Sequence, residues 1–324
     1  MLTTELTERL GIRYPIVGAP MAGVAHGALA RAVSEGGGLG MVGVGSTDAA
    51  EMVEREGAIA SDAGRLPFGV GLMAWALEDR PDLLQATIAS RPRLVSVSFG
   101  PPGPYVGALH DAGILAAAQV PDLASAEEAE RSGVDLVVAQ GADAGGHAGE
   151  VGTLPLLQLL VESLRLPVLA AGGIGSPRGV AAVLAAGAAG AWVGTCLLAS
   201  PEAANRPEAR QRVISARETD TVRTSVFDVA QGIPWPPGFP GRALRNRFTD
   251  AWHGRERELA ADSDAGAQLM EAKREADYDV AYIYAGQAVG LVSESRPAAE
   301  VVRRLGEGAE QLLRQRCRAL LSRG

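Results

Sequence analysis

The chain has 324 residues, of which 47% are apolar and 4% aromatic, and its formal net charge at pH 7 is −8. That length allows one large barrel domain with an insertion, or two average domains, and the apolar fraction allows a sizeable buried core. The acidic balance argues against nucleic acid or an anionic membrane surface as a partner and leaves a small molecule.

Cysteine spacing and hydropathy argue against a metal-binding, a secreted or a membrane-spanning protein. Cys196 and Cys317 are isolated, and with no clustered histidines they predict no zinc or other metal site. Two lone thiols in a chain of this length fit a reducing cytosol. The first residues include Glu5, Glu8 and Arg9, which do not form a signal peptide, and no apolar run approaches ~18 residues. We therefore expect a cytoplasmic protein without a membrane span.

Short apolar runs alternate with helical patterns up to about residue 200. Amphipathic stretches at Asp48–Ala60, Asp79–Ala89, Ala124–Arg131 and Leu154–Leu164 predict helices. Strands that are apolar on both faces and separated by helices indicate a parallel sheet. Eight such units favour a (β/α)8 TIM barrel, with an open doubly wound sheet as the alternative. The predicted strands are Tyr14–Ala19, Leu39–Val44, Phe68–Met73, Leu94–Phe99, Ile114–Val120, Leu136–Gln140, Pro167–Ala171 and Ala191–Gly194.

The pattern changes at residues 205–277. Charged helical pieces surround a proline-dense turn, Gln231–Arg242, and no strand is predicted there. We interpret 205–277 as a helical lid inserted over the C-terminal face of the barrel, the alternative being a surface layer without a catalytic role. The barrel domain would then comprise 1–204 and 278–324 and end in a helix, Ala298–Leu321.

The glycine-rich segment 169–195 predicts a phosphate site. One predicted strand runs into Gly172-Gly173, Ser176-Pro177 can start the next helix, and the following strand runs into Gly194-Thr195. Backbone N–H groups at such turns, beside a helix N-terminus, can bind phosphate, and many barrels bind it after strands seven and eight. Glycine turns also arise for steric reasons alone. Two in tandem favour a phosphorylated ligand.

A second glycine-rich loop, AQGADAGGHAGE at 139–150, contains His147. Its glycines permit tight turns, and an imidazole that titrates near neutrality suits proton transfer. A lone histidine is more often structural, and we give that interpretation to His26, His110 and His253. The position of His147 beside the predicted phosphate site instead predicts a catalytic acid/base.

These segments occur in the order of a known family. GAPMAG, GGGLG, QGADAGGHAGE, AAGGI and AWVGT resemble the nitronate monooxygenases, formerly called 2-nitropropane dioxygenases. The closing AGQAVGLV resembles both that family and the flavin-dependent enoyl-acyl-carrier-protein reductases. The resemblance runs over nearly the whole chain.

The resemblance implies a barrel that holds non-covalent FMN under a lid. Pro20 and Met21 would lie along the isoalloxazine, His147 matches the catalytic histidine, and Gln287 would border the substrate pocket. Three residues depart from the family pattern: Gly71 and Trp192 replace polar residues, and Ala148 a larger one. The implied FMN contacts in full are Pro20, Met21, Gly71, Gln119, Gln140, Gly145, Gly172, Gly173, Trp192, Val193, Gly194 and Thr195.

The departures leave several functions open. The first is FMN-dependent oxidation of alkyl nitronates with O2, giving carbonyl compounds and nitrite. The second is NAD(P)H-dependent reduction of quinones or enoyl-acyl-carrier-protein thioesters by a bound FMN. The third is a non-redox lyase or isomerase on a phosphate-binding barrel, and the fourth a flavin-binding protein without catalysis. Assembly into a homodimer is compatible with all four.

Overall fold

A computed structural model describes residues 2–321, apart from the side chains of residues 317, 318, 320 and 321. The side chain of Cys317 lies outside the described part, whereas Cys196 is a buried free thiol. Burial raises the pKa of the Cys196 thiol to about 12, so this cysteine is unreactive near neutral pH. In the described part, no helix is both long and apolar enough to cross a membrane.

The eight predicted strands form one parallel sheet that closes on itself. The fold is therefore a (β/α)8 TIM barrel, as the sequence predicted. Its strands are β1 (Ile16–Gly18), β2 (Gly40–Gly43), β3 (Phe68–Met73), β4 (Leu94–Ser98), β5 (Leu115–Val120), β6 (Leu136–Gln140), β8 (Val168–Ala171) and β9 (Gly190–Val193), while β7 (Gly146–His147) lies outside the barrel sheet. The strand order is β1-β9-β8-β6-β5-β4-β3-β2, and a bridge from Val17 to Leu39 joins the two ends.

Helices surround the barrel, and the four predicted amphipathic helices are present within two residues of their expected ends. The helices up to β9 are α1 (Glu5–Leu10), α2 (Gly27–Glu35), α3 (Ala50–Ser61), α4 (Ala74–Leu77), α5 (Pro81–Ala89), α6 (Gly103–Asp111), α7 (Leu123–Arg131), α8 (Thr153–Ser163) and α9 (Pro177–Ala185). After β9 come α10 (Pro207–Ser215), α11 (Val226–Gln231), α12 (Arg247–Trp252), α13 (Glu256–Leu259), α14 (Ser263–Glu275) and α15 (Ala298–Leu321), with 3₁₀ helices at Thr195–Leu197 and Gln287–Leu291. The last α-helix has the predicted bounds.

Two apolar clusters lie on the two faces of the barrel sheet. The inner one includes Val17, Met41, Leu136, Val138 and Trp192, and the outer one fills the space between strands and helices. Neighbouring residues of a strand belong to different clusters because successive side chains of a strand point to opposite faces of the sheet. Both faces are covered, which explains the uninterrupted apolar runs.

The prediction of no strand within 205–277 was wrong. β10 (Thr221–Thr224) and β11 (Gly241–Leu244) pair antiparallel, and β11 also pairs with a short strand from the barrel loop, β7 (Gly146–His147). Each strand is short, so its sequence shows little alternation, and β11 depends on a partner about 95 residues earlier in the chain. A separate core that includes Phe227, Phe248 and Leu269 supports this three-stranded sheet. The insertion is thus mixed α and β, and β7 ties it to the carboxyl end of β6.

Candidate active site

The turn after β8 has the conformation that its glycines predict. Gly172 and Gly173 have φ of +113° and +68°, which side chains rarely adopt. A Cβ on Gly172 would lie 2.4 Å from Thr153 Oγ1. The Ser176 hydroxyl accepts a hydrogen bond of 3.3 Å from the Gly179 N–H and caps α9, as predicted. The helix α9 begins at Pro177, four residues after Gly173.

Several predicted site residues converge around this turn. A Cβ on Gly173 would lie 3.6 Å from Asp143 Cβ, and one on Gly145 would lie 2.6 Å from Gly286 N. The Gly286 N–H donates to Thr195 Oγ1 at 2.9 Å. The N–H of the exposed Gln287 donates to Asp143 O at 3.0 Å. The ends of β6, β8 and β9 and the segment before α15 thus meet at one place.

The loop after β1 covers another part of the barrel mouth. A Cβ on Gly71 would lie 2.3 Å from Pro20 Cγ, so the proline ring occupies the space of a side chain at position 71. A Cβ on Gly194 would lie 3.3 Å from Met21 Sδ. The departure of Gly71 from the family pattern therefore has a steric reason: a larger residue would displace Pro20.

The remaining predicted flavin contacts differ in whether their side chains point into the barrel or away from it. Trp192 belongs to the inner cluster, whereas Val193 belongs to the outer one. Only the backbone of Val193 can therefore face the mouth, and its carbonyl already accepts from Ala19 N–H at 2.8 Å. Gln119 lies one residue before the end of β5, and Gln140 ends β6. Both are half-buried, and the Gln119 N–H donates to Ser98 Oγ at 3.0 Å.

The donors at the mouth fit the flavin mononucleotide that the sequence predicts. The backbone amides of Gly173 and Thr195, one from each turn, donate to no group in residues 2–321. The Trp192 Nε1–H is buried and also has no partner in that range. An unpaired buried donor such as the Trp192 Nε1–H is costly, and a ring carbonyl would satisfy it. Gly173 is exposed and Thr195 half-buried, so their amides are open to a phosphate. The two turns therefore supply backbone N–H groups that could bind a phosphate. Trp192 of the inner cluster supplies an indole N–H that could bind a carbonyl of the flavin ring.

His147 lies in the short strand β7 and its imidazole enters a buried polar chain. Its Nε2 is 3.0 Å from Asp228 Oδ2, and the side chains are only 7% and 6% exposed. The Tyr284 hydroxyl lies 3.2 Å from the other carboxylate oxygen, Asp228 Oδ1. Asp228 comes from α11, so the insertion supplies the partner of a barrel-loop histidine.

The charge of Asp228 indicates which atom carries each proton among the side chains of His147, Asp228 and Tyr284. Burial, and next the Asp228 carboxylate, raise the pKa of Tyr284 well above 10.0, so its hydroxyl is protonated and donates to Asp228. An ionised carboxylate is purely an acceptor, so His147 donates its Nε2 proton to Asp228. In the neutral imidazole the lone pair then lies on Nδ1. The atom of His147 that can accept a proton is therefore Nδ1.

Aromatic rings cover this histidine. Trp235, from the proline-dense turn, stacks on the His147 ring with 3.5 Å between centroids and 12° between planes. Phe99 and Trp75 make edge contacts with Trp235 at 5.0 and 5.5 Å. Phe99 directly follows β4 and has φ +63°, a strained conformation of the kind that often occurs at functional sites.

Sequence reasoning missed Asp228 and Tyr284, and did not place Trp235 against His147. Asp228 is 81 residues from His147, and no local motif connects them. One signal was present: Asp228 is a single acid in the apolar run VFDVA, and a buried charge needs a partner. In the described residues, no cluster of three or more acidic, histidine or cysteine side chains could hold a metal ion.

Comparison with known proteins identifies the family. The profile of the nitronate monooxygenase family matches residues 3–87 and 80–308. A nitronate monooxygenase from Paraburkholderia phytofirmans is 33% identical over 96% of each chain. The structure of FabK from Thermotoga maritima superimposes with a TM-score of 0.86 at 28% identity, covering 99% of this chain and 100% of its own. The structure of a nitroalkane oxidase from Streptomyces ansochromogenes superimposes with a TM-score of 0.82 at 29% identity. The match covers 96% of this chain and 99% of the oxidase chain. The chain belongs to the nitronate monooxygenase family, whose members are oxidoreductases.

Proposed function

We propose that the protein is an FMN-dependent nitronate monooxygenase that oxidises alkyl nitronates with O2 to carbonyl compounds and nitrite. Family membership and the likeness to a nitroalkane oxidase support this reaction class. The observation that carries the proposal is the buried His147–Asp228 pair, which holds the imidazole of the loop after β6 with its Nε2 against a carboxylate, so that Nδ1 is the atom left to accept a proton.

The residues that would hold FMN are those gathered at the barrel mouth. The amides of Gly173 and Thr195 would bind its phosphate, and the ring would lie against Pro20 and Met21 with Trp192 Nε1 as a donor. When bound, FMN supplies the redox chemistry, accepting electrons from the substrate and passing them to O2. The protein supplies orientation, water exclusion and the proton acceptor.

His147 has a different task for each form of the substrate. A neutral nitroalkane must lose the proton on the carbon beside the nitro group, and Nδ1 of His147 accepts it as a general base. A preformed nitronate has already lost that proton, so it needs only binding and orientation. Trp235 and Tyr284 border the imidazole and exclude water from it, which strengthens its electrostatic contact with Asp228. We also propose that residues 205–277 act as the lid of this site.

Oxygen consumption tests this proposal directly. The purified protein should be yellow, release FMN on heating, and take up O2 with ethyl nitronate or propyl-2-nitronate without NAD(P)H. A carbanionic substrate is electron-rich and needs no nicotinamide donor. The same preparation is assayed for NADH and NADPH oxidation with a quinone. A protein that contains FMN, oxidises NAD(P)H and ignores nitronates would contradict the proposal.

That contrary outcome would favour the second candidate function, an FMN-dependent NAD(P)H reductase. The likeness to FabK over nearly the whole of both chains supports it. His147 would then donate a proton to the reduced product. A colourless protein that never binds flavin would instead favour a non-redox barrel enzyme, and bound FMN without any turnover a binding protein.

A further inference from the structure

Four aromatic side chains form a cluster that reaches the proposed base. Trp75 follows β3 and Phe99 follows β4, and both make edge contacts with Trp235 of the proline-dense turn, at 5.5 and 5.0 Å between centroids. Phe239 of the same turn makes an edge contact with Phe99 at 5.7 Å. Trp235 itself stacks on His147. We call Trp75, Phe99, Trp235 and Phe239 the aromatic cluster.

Packing of the fold does not account for the aromatic cluster. All four side chains are half-buried, and none of them belongs to the three apolar clusters of the described residues. Two of the four tryptophans and two of the five phenylalanines of the chain are nevertheless gathered here. Phe99 also has φ +63°, a strain that no core packing offsets. Large aromatic rings that are half-exposed beside an active site are typical of a ligand-binding surface.

The aromatic cluster lies across the barrel mouth from the predicted phosphate turns. In the closed strand order, β3 and β4 are on the opposite side of the barrel from β8 and β9, whose turns would bind the phosphate. Gly71 of β3 packs against Pro20, a predicted contact of the flavin ring, and Trp75 follows four residues later. The cluster is therefore on the side of the mouth where the ring, and a substrate lying on it, would be held.

Trp75 contributes a hydrogen-bond donor that the protein leaves unpaired. Its Nε1–H is buried and has no partner in residues 2–321. An unpaired buried donor is costly, so a ligand that offers an acceptor at this place is favoured. The π face of an aromatic ring can accept an N–H. A ligand with an aryl group would therefore satisfy the donor and also pack against the other three rings.

We propose that the aromatic cluster binds an aryl group attached to the reacting carbon of the nitronate, with the Trp75 Nε1–H donating to the aryl ring. The four side chains are uncharged, and aromatic rings pair well with one another by edge and offset contacts. Trp235 covers a face of the His147 ring, whereas the Nδ1 lone pair lies in the ring plane, so that stack does not cover it. This inference rests on the proposed function and adds a preference for aryl over small alkyl nitronates.

Kinetics with three substrates test the size of the bound group. The substrates are ethyl nitronate and the nitronates of cyclohexylnitromethane and phenylnitromethane, each compared between variant and native protein so that intrinsic reactivity cancels. F239A is the main variant, because the aromatic contact of Phe239 within residues 2–321 is with Phe99 alone. We expect it to lower kcat/KM for the two bulky substrates about 3- to 10-fold and to leave that for ethyl nitronate within about 2-fold. F239L keeps apolar volume and should lose less.

The variant W75F tests the donor, because phenylalanine keeps a ring but has no N–H. Cyclohexyl and phenyl groups are similar in size and differ in the π face. W75F should therefore lower the ratio of kcat/KM for the phenyl substrate to that for the cyclohexyl substrate about 3- to 5-fold. W252F is the matched control, since Trp252 is also half-buried but lies in α12 with Arg255 over its ring at 5.2 Å. It should leave that ratio unchanged.

Binding of neutral probes tests the aromatic cluster without turnover. The FMN-loaded protein is titrated calorimetrically with benzamide and with acetamide, which differ in a phenyl group in place of a methyl group. Native protein should bind benzamide at least about 10-fold more tightly, the effect of burying an aryl ring. F239A should weaken benzamide binding about 3- to 10-fold and leave acetamide binding nearly unchanged.

Several outcomes would overturn the inference. Equal losses for all three nitronates in F239A would show that the turn only covers His147. Loss of FMN from F239A or W75F would place the aromatic cluster in the cofactor site. Equal binding of the two amides to native protein would show that no aryl group is bound, and an unchanged phenyl-to-cyclohexyl ratio in W75F would overturn the role of the donor. If benzamide binds as expected but the native protein oxidises no nitronate, the proposed function fails and the aryl site stands.

Discussion

Trp235 stacks on His147 with 3.5 Å between ring centroids and 12° between ring planes. The tryptophan comes from the proline-dense turn of the insertion, and the histidine from the loop after β6. The insertion thus places an apolar ring directly on the proposed base. This contact gives the lid proposal a specific residue to test.

Replacing Trp235 with Ala should raise the substrate KM roughly 2- to 10-fold, the equivalent of one lost aromatic contact, because water then reaches the imidazole. Trp235→Phe keeps an apolar ring and serves as the control, with a smaller change. The FMN dissociation constant and KM are measured for both, and for a variant with a shorter turn between Gly232 and Gly241. If all these values match the native ones, the turn is a surface excursion and not a lid.

Replacing His147 with Asn should leave FMN bound and lower turnover of a neutral nitroalkane by about 10²–10⁴-fold, the usual contribution of a positioned acid or base. With a preformed nitronate the loss should be smaller, because no carbon-bound proton is removed. Turnover with both substrate forms is measured on protein of known flavin content. A variant that loses its flavin would show that His147 is structural.

Asp228→Asn tests how the imidazole is positioned. The neutral amide no longer requires a proton on Nε2, so the tautomer with a free Nδ1 loses its preference. We expect a loss in nitroalkane turnover of up to about 10⁴-fold with FMN retained, as for an imidazole held in the wrong tautomer. ¹⁵N NMR of the His147 ring reports the tautomer directly. Native turnover and a native spectrum in this variant would remove Asp228 from the mechanism.

Tyr284 should make stability fall at alkaline pH. Its pKa is raised in the folded state by burial and Asp228, so above about pH 10 the unfolded chain releases this proton more readily. The stability that the protonated phenol contributes is present below that pH and is lost as the pH rises. Denaturant midpoints from about pH 9 to about pH 11 should therefore fall more steeply for the native protein than for Tyr284→Phe. Parallel pH profiles would show that the phenol is not held protonated by the fold.

Gly172→Ala should reduce both stability and FMN occupancy. The φ of +113° and a Cβ 2.4 Å from Thr153 Oγ1 force the turn to move, at a cost of about 1–3 kcal/mol. Gly107→Ala is the matched control, because position 107 lies in α6 with no atom within 4 Å of the added Cβ. That change should be neutral or stabilising by about 0.5–1 kcal/mol. Thermal unfolding and released flavin are measured for both. Native flavin content in a destabilised Gly172→Ala would limit the turn to a structural role.

The amino-acid sequence alone determined the barrel, the cap at Ser176, the final helix and the two glycine turns. These features depend on hydrophobic periodicity and turn chemistry, which are encoded in contiguous residues. The tertiary structure decided the rest. Asp228 meets His147 across 81 residues, and Pro20 fills the space above Gly71. The strand β11 pairs with β10 nearby in the chain and also with β7 of the barrel loop, about 95 residues earlier. Contacts of this kind depend on how distant segments pack, and a short polar or glycine-containing segment does not by itself specify which distant segment it will meet.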